Sequence, residues 1–331
     1  MFPNEKIGII GNGSWATAIA KLLNTNKTQI YWYIRKEEDI DYIKTNKRNP
    51  RYLREIEFNT ERIVLSNDIN YIAENSQTLY FVVPSAYLEE YIKDLKVDIS
   101  SKLLVSGIKG IIPSTNLLFS DHISTIYNLP AENICSIAGP SHAEEVAMGR
   151  LTFLTIVSKN LYNAEIISNQ LENQNLRTFL NDDIYGVEYA AVLKNVYSLA
   201  AGICQGLGYG DNFTAVLVSN ALQEIERFVN TVDPRERSLY TSAYLGDLLG
   251  TSYSRYSRNR TFGLMIGKGY SVKAAKLEMN MIAEGYYATA CFNKINERYN
   301  IFMPILEAVY NILYENKPAG FEIKFLAHKI R

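Results

Sequence analysis

One lysine stands alone in a long apolar stretch. Lys194 is the only charged residue between Glu188 and Asp211. The residues at helical spacing around it are mostly small: Ala190, Ala191, Tyr197, Ser198 and Ala201. Burial lowers the pKa of a lysine toward values that suit proton transfer, so we predict that Lys194 is a general acid and base. The alternative is a lysine whose stem covers apolar surface while its ammonium reaches water.

A second lysine has similar surroundings. Lys109 is the only charge between Lys102 and Asp121. It follows the apolar run Leu103–Ser106, and open parallel sheets place their ligand crevice at the carboxyl ends of such strands. We therefore predict that Lys109 contacts a ligand. A lysine in a surface loop is the alternative.

The amino-terminal segment predicts a dinucleotide site. Gly11-Asn12-Gly13-Ser14-Trp15-Ala16 fits the pattern G-x-G-x-x-G/A and lies between an apolar strand and a helix. In this pattern the first glycine permits the tight turn, the second lets the backbone approach a pyrophosphate, and the small last residue lets helix and strand pack closely. Free N–H groups at the helix start face the anion. A merely structural turn is the alternative.

The end of the second strand bears on the choice of cofactor. NAD sites usually have an acidic residue about 20 residues beyond the glycines, but Arg35-Lys36 stands there. A cation can face a 2′-phosphate, so we expect NADPH to be accepted and to be the candidate for preference over NADH. Glu37, Glu38 and Asp39 follow, which leaves open a solvated strand end.

Two further segments have suitable chemistry. Gly139-Pro140-Ser141-His142-Ala143-Glu144 follows a strand and offers backbone donors, while Ser141 and Glu144 also fit a helix capping box. His142 is read as a loop residue. Asp247 is followed ten residues later by Ser257-Arg258-Asn259-Arg260, where Arg258 could bind a phosphate through paired donors. A solvated arginine-rich face is the alternative.

The elements that carry these residues indicate an α/β fold. Strands that alternate with helices predict a doubly wound parallel sheet of the Rossmann type, covered on both faces. The expected strands are Lys6–Ile10, Gln29–Ile34, Thr78–Val83, Leu103–Ser106, Ile134–Ala138, Leu151–Val157 and Arg177–Leu180. An all-helical domain should follow, with helices at Tyr189–Cys204, Asn212–Val229, Val272–Met281, Gly285–Tyr299 and Pro304–Tyr314. We predict domains at residues 1–184 and 185–331.

Composition restricts the class of protein. The 331 residues include 34 Lys and Arg against 35 Asp and Glu, a formal net charge of -1, so no overall positive field attracts nucleic acid or an anionic membrane. The three cysteines are far apart and lack metal-ligand spacing. Without a recognisable leader or a long apolar segment, we expect a cytoplasmic protein with no membrane insertion and no metal. The helical domain permits a homodimer.

The motifs together resemble one family, the bacterial NAD(P)-dependent glycerol-3-phosphate dehydrogenases. The matching segments are GNGSWATAIA, NPRYL, VVPS, SGIKG, AGPSHAEEV, VLKN, GLGYGDNFTA, LGDL, SRNRTFG and AEGY. The resemblance implies interconversion of dihydroxyacetone phosphate and sn-glycerol 3-phosphate, which supplies phospholipid synthesis, with NADP or NAD as cofactor. It also implies a phosphorylated small-molecule substrate.

The resemblance also implies a role for individual residues. Lys194 of VLKN would exchange a proton with the C2 oxygen, with Lys109 and Asp247 as the other catalytic residues. Arg258 would face the substrate phosphate. The implied substrate-binding residues are Lys109, Gly139, Ser141, Lys194, Asp247, Ser257, Arg258 and Asn259. The implied cofactor-binding residues are Gly11, Gly13, Ser14, Trp15, Arg35, Lys109, Ala143, Arg258, Ile282 and Glu284.

Two segments depart from the family pattern. Asn12 stands where a small residue is usual, and Gly250-Thr251-Ser252 replaces the more common Leu-Thr-Cys. Two other functions stay open. One is a related reductase of hydroxyacids and ketoacids, and the other is a nonenzymatic dinucleotide sensor in which Lys194 is structural.

Overall fold

The first part of the chain forms one eight-stranded sheet. The computed structural model describes residues 5–279 and 283–330, and within them the strand order is β3-β2-β1-β4-β5-β6-β7-β8. The strands are β1 (Lys6–Ile10), β2 (Gln29–Tyr33), β3 (Ile63–Ser66), β4 (Thr78–Phe81), β5 (Leu103–Ser106), β6 (Ile134–Ala138), β7 (Thr152–Val157) and β8 (Leu176–Asn181). The first six follow the order of a dinucleotide-binding sheet, which confirms the expected Rossmann fold.

The sheet is not wholly parallel. Strands β1 to β6 pair in parallel, but β6 and β7 are antiparallel, with Ser136 opposite Val157. The helix between them, α6 (Ala143–Ala147), has five residues. The chain therefore re-enters the sheet at the edge where it left, and β7 runs in the opposite direction. Strand β8 pairs in parallel with β7.

Strand β3 was not predicted from the sequence. Only Ile63, the first of its four residues, is buried. The strand lies at the end of the sheet beyond β2, so it has a partner on one side only. Its apolar run, Ile63-Val64-Leu65, is three residues long, shorter than the runs of about four to eight residues that mark a buried strand in a sequence.

Apolar helix faces cover the sheet. Ile7 and Ile9 of β1 are fully buried in the same core cluster as Ile19 and Leu23 of the first helix. Helix α6 packs against that helix. The helices of this part of the chain are α1 (Ser14–Thr25), α2 (Glu37–Asn46), α3 (Ile69–Glu74), α4 (Leu88–Ile92), α5 (Phe119–Tyr127), α6 and α7 (Leu161–Leu171).

The rest of the chain is helical, as expected. The described helices are α8 (Ile184–Gly206), α9 (Asp211–Val232), α10 (Asp247–Tyr253), α11 (Arg258–Gly267), α12 (Val272–Glu278), α13 (Glu284–Tyr299), α14 (Pro304–Leu313) and α15 (Ala319–Lys329). The sequence did not predict α10, α11 and α15. Helix α11 begins with four polar residues and contains two glycines, so its apolar periodicity is weak.

The chain divides into two compact units. The first contains the described residues up to Ile108 together with Phe119–Ile184, and the second contains Lys109–Leu118 together with the described residues from Tyr185 onward. The expected division at residue 184 therefore differs at one segment. Residues 109–118 follow β5 in the chain but belong with the helices.

Helices α8 and α11 are in backbone contact. A Cβ atom at Gly202 would lie 2.1 Å from the carbonyl oxygen of Arg260, and one at Gly263 would lie 2.0 Å from that of Leu199. Gly206 and Gly267 are equally crowded. We call these four glycines the glycine seam. Since real Cβ atoms do not approach so closely, the seam fixes the distance between the two helices.

Candidate functional site

Two lysines and one aspartate meet inside the second unit. The Lys194 ammonium donates a hydrogen bond to Oδ1 of Asp247. The Lys109 ammonium lies 3.5 Å from Oδ2 of the same carboxylate. The three residues come from sequence positions as far apart as 138 residues. The structure therefore brings together the three residues that the resemblance assigned to catalysis.

Burial determines the electrostatics of this cluster. Lys194 is 5% exposed and Asp247 is 1% exposed, which excludes the alternative in which the Lys194 ammonium reaches water. Desolvation lowers the pKa of Lys194 to about 7, against the opposing attraction of Asp247. The positive charge of Lys109 lowers this pKa further. A lysine with a pKa near neutrality can both give and take a proton at physiological pH.

Local structure explains how these side chains are held. Lys194 lies near the middle of α8, and its neighbours Leu193 and Val196 in the same helix are fully buried. Asp247 is the first residue of α10 and directly follows a π-helical turn, Ser242–Gly246. Such turns are rare and often lie at functional sites. Lys109 opens the segment 109–118 that belongs to the second unit.

A chain of amides links Lys109 to two other predicted segments. Asn195 donates from Nδ2 to the carbonyl oxygen of Lys109 at 3.0 Å, and its own Oδ1 accepts from Asn259 at 3.0 Å. The Oδ1 of Asn259 in turn accepts from the N–H of Gly285 at 2.8 Å. Asn195 was not among the predicted site residues, although it directly follows Lys194 in VLKN. It fixes the backbone at Lys109.

A pair of hydroxyls joins α8 to the start of α11. The Oγ atoms of Ser198 and Ser257 are 2.7 Å apart, and Ser198 also donates to the carbonyl oxygen of Thr251 at 2.9 Å. Ser257 is the N-cap residue of α11 and accepts from the N–H of Arg260. Because Thr251 contributes a backbone oxygen, this contact does not depend on the unusual side chains of Gly250-Thr251-Ser252.

The remaining predicted residues of the second unit differ in exposure. Arg258 is the first residue of α11 and is exposed. Among the described residues its guanidinium forms no hydrogen bond or ion pair, so it can accept an anionic ligand. Glu284 is half-buried and opens α13. Ile282, expected to bind the cofactor, lies outside the described residues.

The glycine turn of the first unit has the geometry that a pyrophosphate needs. Gly11 has φ +127°, and a Cβ atom there would lie 2.2 Å from the carbonyl oxygen of Val82. At Gly13 no atom lies within 4 Å of where a Cβ would be. Gly13 is the N-cap residue of α1 and has no side chain to satisfy its first N–H groups. These donors are suited to an anion.

Residues next to the turn also fit a dinucleotide. Ser14 is buried. The indole N–H of Trp15 is buried without a hydrogen-bond partner among the described residues. Buried polar groups usually have a partner, so this donor points to a ligand. This donor is available to a ligand beside the turn.

Arg35 follows β2 and already has protein contacts. Its Nη1 lies 2.7 Å from Oε1 of Glu90, and its guanidinium lies 4.4 Å from the ring centroid of Tyr91. The side chain is partly exposed. A phosphate at this position would therefore compete with Glu90 for Arg35.

The helix that follows β6 begins at a different residue from the one predicted. Gly139 has φ +95°. Ser141 donates to the carbonyl oxygen of Gly139 at 3.0 Å, and the N-cap residue of α6 is His142. The predicted capping box at Ser141 and Glu144 is therefore wrong. Ala143 begins α6 and is buried.

No described group of three or more His, Cys, Asp or Glu side chains is arranged to hold a metal ion. None of the described helices is both long enough and apolar enough to cross a membrane.

Comparison with known proteins decides the family. Residues 6–164 match the family model for the amino-terminal part of NAD-dependent glycerol-3-phosphate dehydrogenase. Residues 183–323 match the model for its carboxyl-terminal part. The chain belongs to this family. Both matched segments contain the motifs on which the resemblance was based.

Individual relatives extend over nearly the whole chain. A glycerol-3-phosphate dehydrogenase (NAD(P)+) of Clostridium botulinum is 35% identical over 97% of each chain. One of Bacillus pumilus is 33% identical over 99% of this chain and 95% of its own. The crystal structure of glycerol-3-phosphate dehydrogenase from Coxiella burnetii is similar with a TM-score of 0.90, at 29% identity and 98% coverage of both chains.

Proposed function

We propose that this chain interconverts dihydroxyacetone phosphate and sn-glycerol 3-phosphate, with NADPH or NADH as the hydride donor in the reducing direction. The proposal rests on one observation above all: in a member of this family, Lys194 is withdrawn from water and paired with Asp247 beside Lys109. The relatives named above are called NAD(P)+ enzymes, which agrees with both cofactors. The product would serve phospholipid synthesis.

The second unit supplies the proton chemistry. When bound, the nicotinamide supplies hydride to C2 of the ketone. Lys194 donates its proton to the oxygen on C2 as negative charge develops there, which completes the secondary alcohol. Asp247 holds the Lys194 ammonium in place. Lys109 adds positive potential that stabilises the developing oxyanion. In the oxidising direction Lys194 accepts the proton.

Other residues bind and orient. Arg258 is exposed at the start of α11, and we assign it to the substrate phosphate because a guanidinium binds phosphate through two parallel donors. We assign the glycine turn to the pyrophosphate of the cofactor and Arg35 to its adenosine end. The further proposed ligand residues are Ser14, Trp15, Lys109, Gly139, Ser141, Ala143, Arg258, Ser257, Asn259, Ile282 and Glu284.

The remaining expectations concern the whole protein. We propose a dinucleotide-binding domain and a substrate domain that correspond to residues 1–184 and 185–331. We further propose a cytoplasmic homodimer without a nucleic-acid partner, in line with the net charge of -1. Sedimentation of the purified protein tests the dimer.

A steady-state assay tests the function. Purified protein should oxidise NADPH when dihydroxyacetone phosphate is added, and the assay is repeated with NADH. Small 2-keto and 3-keto acids should give less than about 1% of that rate. A carboxylate is planar and carries one negative charge, whereas a phosphate site binds a tetrahedral group with nearly two. Faster turnover of a ketoacid would identify a hydroxyacid reductase. Cofactor binding without turnover of any ketone would identify a sensor.

The phosphate assignment has its own test. Arg258→Ala should lower kcat/KM for dihydroxyacetone phosphate by about 10- to 100-fold, since charged hydrogen bonds contribute about 1.5–3 kcal/mol. Activity on unphosphorylated dihydroxyacetone should change little. Arg255→Ala is the matched control. Arg255 is an exposed arginine in the same segment, and its guanidinium lies over the ring of Tyr256. Equal losses on both substrates would remove Arg258 from the phosphate site.

A further inference from the structure

The departure at Asn12 connects the glycine turn to a group of charged residues. The Nδ2 of Asn12 donates to Oδ2 of Asp39 at 3.3 Å. Its Oδ1 accepts from Nδ2 of Asn49 at 2.7 Å. Asn49 is completely buried and also donates to Oγ1 of Thr17 in α1. The unusual residue of the glycine turn is therefore tied on one side to α2 and on the other to the NPRYL motif.

Arg51 of that motif neutralises acids beside the turn. Its Nε donates to both carboxylate oxygens of Asp39, at 2.9 and 2.8 Å. Its Nη2 pairs with Glu38. Asp39 is 4% exposed, whereas the Arg51 side chain is 42% exposed. Asn49 holds the Arg51 backbone by accepting its N–H at 2.9 Å. Arg51 is thus fixed over a buried carboxylate.

The charge balance at this place depends on Arg51. The segment from Arg35 to Asp39 has two cations and three anions. Arg35 is already paired with Glu90, and Lys36 lies 3.5 Å from Glu38. Arg51 supplies the third cation. Without it, Asp39 would be a buried carboxylate with Asn12 as its remaining hydrogen-bond partner among those described above, and Glu38 would have only Lys36.

We propose that Arg51 sets the preference between NADP(H) and NAD(H) by neutralising Asp39 and Glu38 beside the glycine turn. The inference rests on the proposed binding of the cofactor at this turn. The residues that follow the second strand face the adenosine ribose in this type of site. A 2′-phosphate brings nearly two negative charges there and a 2′-hydroxyl brings none. The pyrophosphate is common to both cofactors, so one unpaired acid beside the turn penalises both, but it penalises NADP(H) more because the 2′-phosphate adds to the repulsion.

Binding measured without substrate tests this proposal. Calorimetric titration gives the Kd of NADP+ and of NAD+ for the purified chain and its variants. Arg51→Gln should raise the Kd of NADP+ about tenfold, the size expected for one unit charge acting on a dianion about 10 Å away in a partly screened site. The Kd of NAD+ should rise by a smaller factor, because NAD+ has the shared pyrophosphate but no 2′-phosphate. Arg48→Gln is the matched control, because Arg48 pairs with Glu57.

Changes at Asp39 separate neutralisation from direct contact. In the double variant R51Q/D39N the net charge returns to the original value, so the Kd of NADP+ should recover to within about threefold of the unmodified chain. Asp39→Asn alone should tighten NADP+ binding, which gives a test of opposite sign if Arg51→Gln does not fold. Thermal unfolding of each variant checks the fold.

The contrary outcomes are distinct. An equal loss for both cofactors in Arg51→Gln, or a loss that persists in the double variant, would overturn the proposal. So would an effect of Arg48→Gln as large as that of Arg51→Gln. If the unmodified chain binds neither cofactor, the proposed function itself fails.

Discussion

The second unit contains two fully buried carboxylates whose partners differ. Asp247 is paired with the ammonium groups of Lys194 and Lys109. Glu224, in α9, accepts hydrogen bonds from the backbone N–H groups of Ile305 and Leu306 at the start of α14. Burial is costly for both acids. The burial of Asp247 is compensated by lysine ammonium groups, which can lose a proton. The burial of Glu224 is compensated by backbone N–H groups, which cannot.

The pKa values express this difference. Burial raises the pKa of Glu224 to about 8, against the opposing effect of the two backbone hydrogen bonds. At the other carboxylate the burial penalty falls on the lysine, whose pKa is lowered to about 7. A buried acid is therefore not in itself evidence of catalysis. A catalytic site differs from a helix cap in that the partner of the buried acid can exchange a proton.

The largest expected effect comes from removing the proton donor. Lys194→Met should lower kcat about 1,000-fold, within the usual contribution of general acid catalysis, while the Kd of NADPH stays within about threefold. Methionine keeps the apolar contacts of the lysine stem. Rapid kinetics with dihydroxyacetone phosphate and a separate NADPH titration measure the two quantities. Turnover close to normal would exclude Lys194 from the mechanism.

A smaller effect should appear in the pH profile. Reduction requires the Lys194 ammonium, so kcat for dihydroxyacetone phosphate should fall above pH 7 as this group loses its proton. Oxidation of glycerol 3-phosphate requires the amine, and its kcat should rise through the same range. Glu224→Gln should leave both profiles unchanged, because Glu224 caps the start of α14 and is not a partner of Lys194. If that variant shifts the profile, the titrating group is not Lys194.

The smallest effect on activity, and the clearest on stability, concerns Glu224. Its folded pKa of about 8 lies above the ordinary value of 4.5, so the folded state holds a proton that the unfolded state has released. The free energy of unfolding should fall as pH rises from about 4.5 to about 8. In Glu224→Gln the free energy of unfolding should fall less over this pH range, and the difference from the unmodified chain should be a few kcal/mol at most, or ~1.4 kcal/mol per pKa unit.

Urea unfolding at a series of pH values measures that slope, and Lys194→Met provides a contrast of opposite sign. The folded pKa of Lys194 is below its ordinary 10.5, so Lys194 makes stability rise with pH between about 7 and 10.5. The methionine variant should lack that rise. Identical slopes in the two variants and the unmodified chain would mean that neither group is titrated as described.

Charge isolation explains why the centre of the site could be predicted. A lone lysine in an apolar helix is either buried or reaches water along its stem. The isolation of Lys194 and Lys109 from other charges is visible in the sequence. The glycine turn is equally local, because its residues are consecutive. The alternation of strands and helices indicated a doubly wound parallel sheet, although it did not reveal β3.

Other features depend on partners distant in sequence. The importance of Asn195 comes from the carbonyl of Lys109 and the amide of Asn259, and nothing in its neighbours indicates either. The reversed direction of β7 depends on where α6 ends. Arg51 and Asp39 are 12 residues apart, and an arginine in a polar loop gives no sign that it covers a buried acid.

The glycine seam has a consequence for redesign. Pockets are commonly enlarged by trimming the side chains of the helices that border them, but α8 and α11 present no side chains to each other at Gly202, Gly206, Gly263 and Gly267. Nothing there can be trimmed, and even a methyl group would drive the helices apart. Space for a larger phosphorylated ketone must therefore come from residues outside the seam, since the separation of the two helices is already at its minimum there.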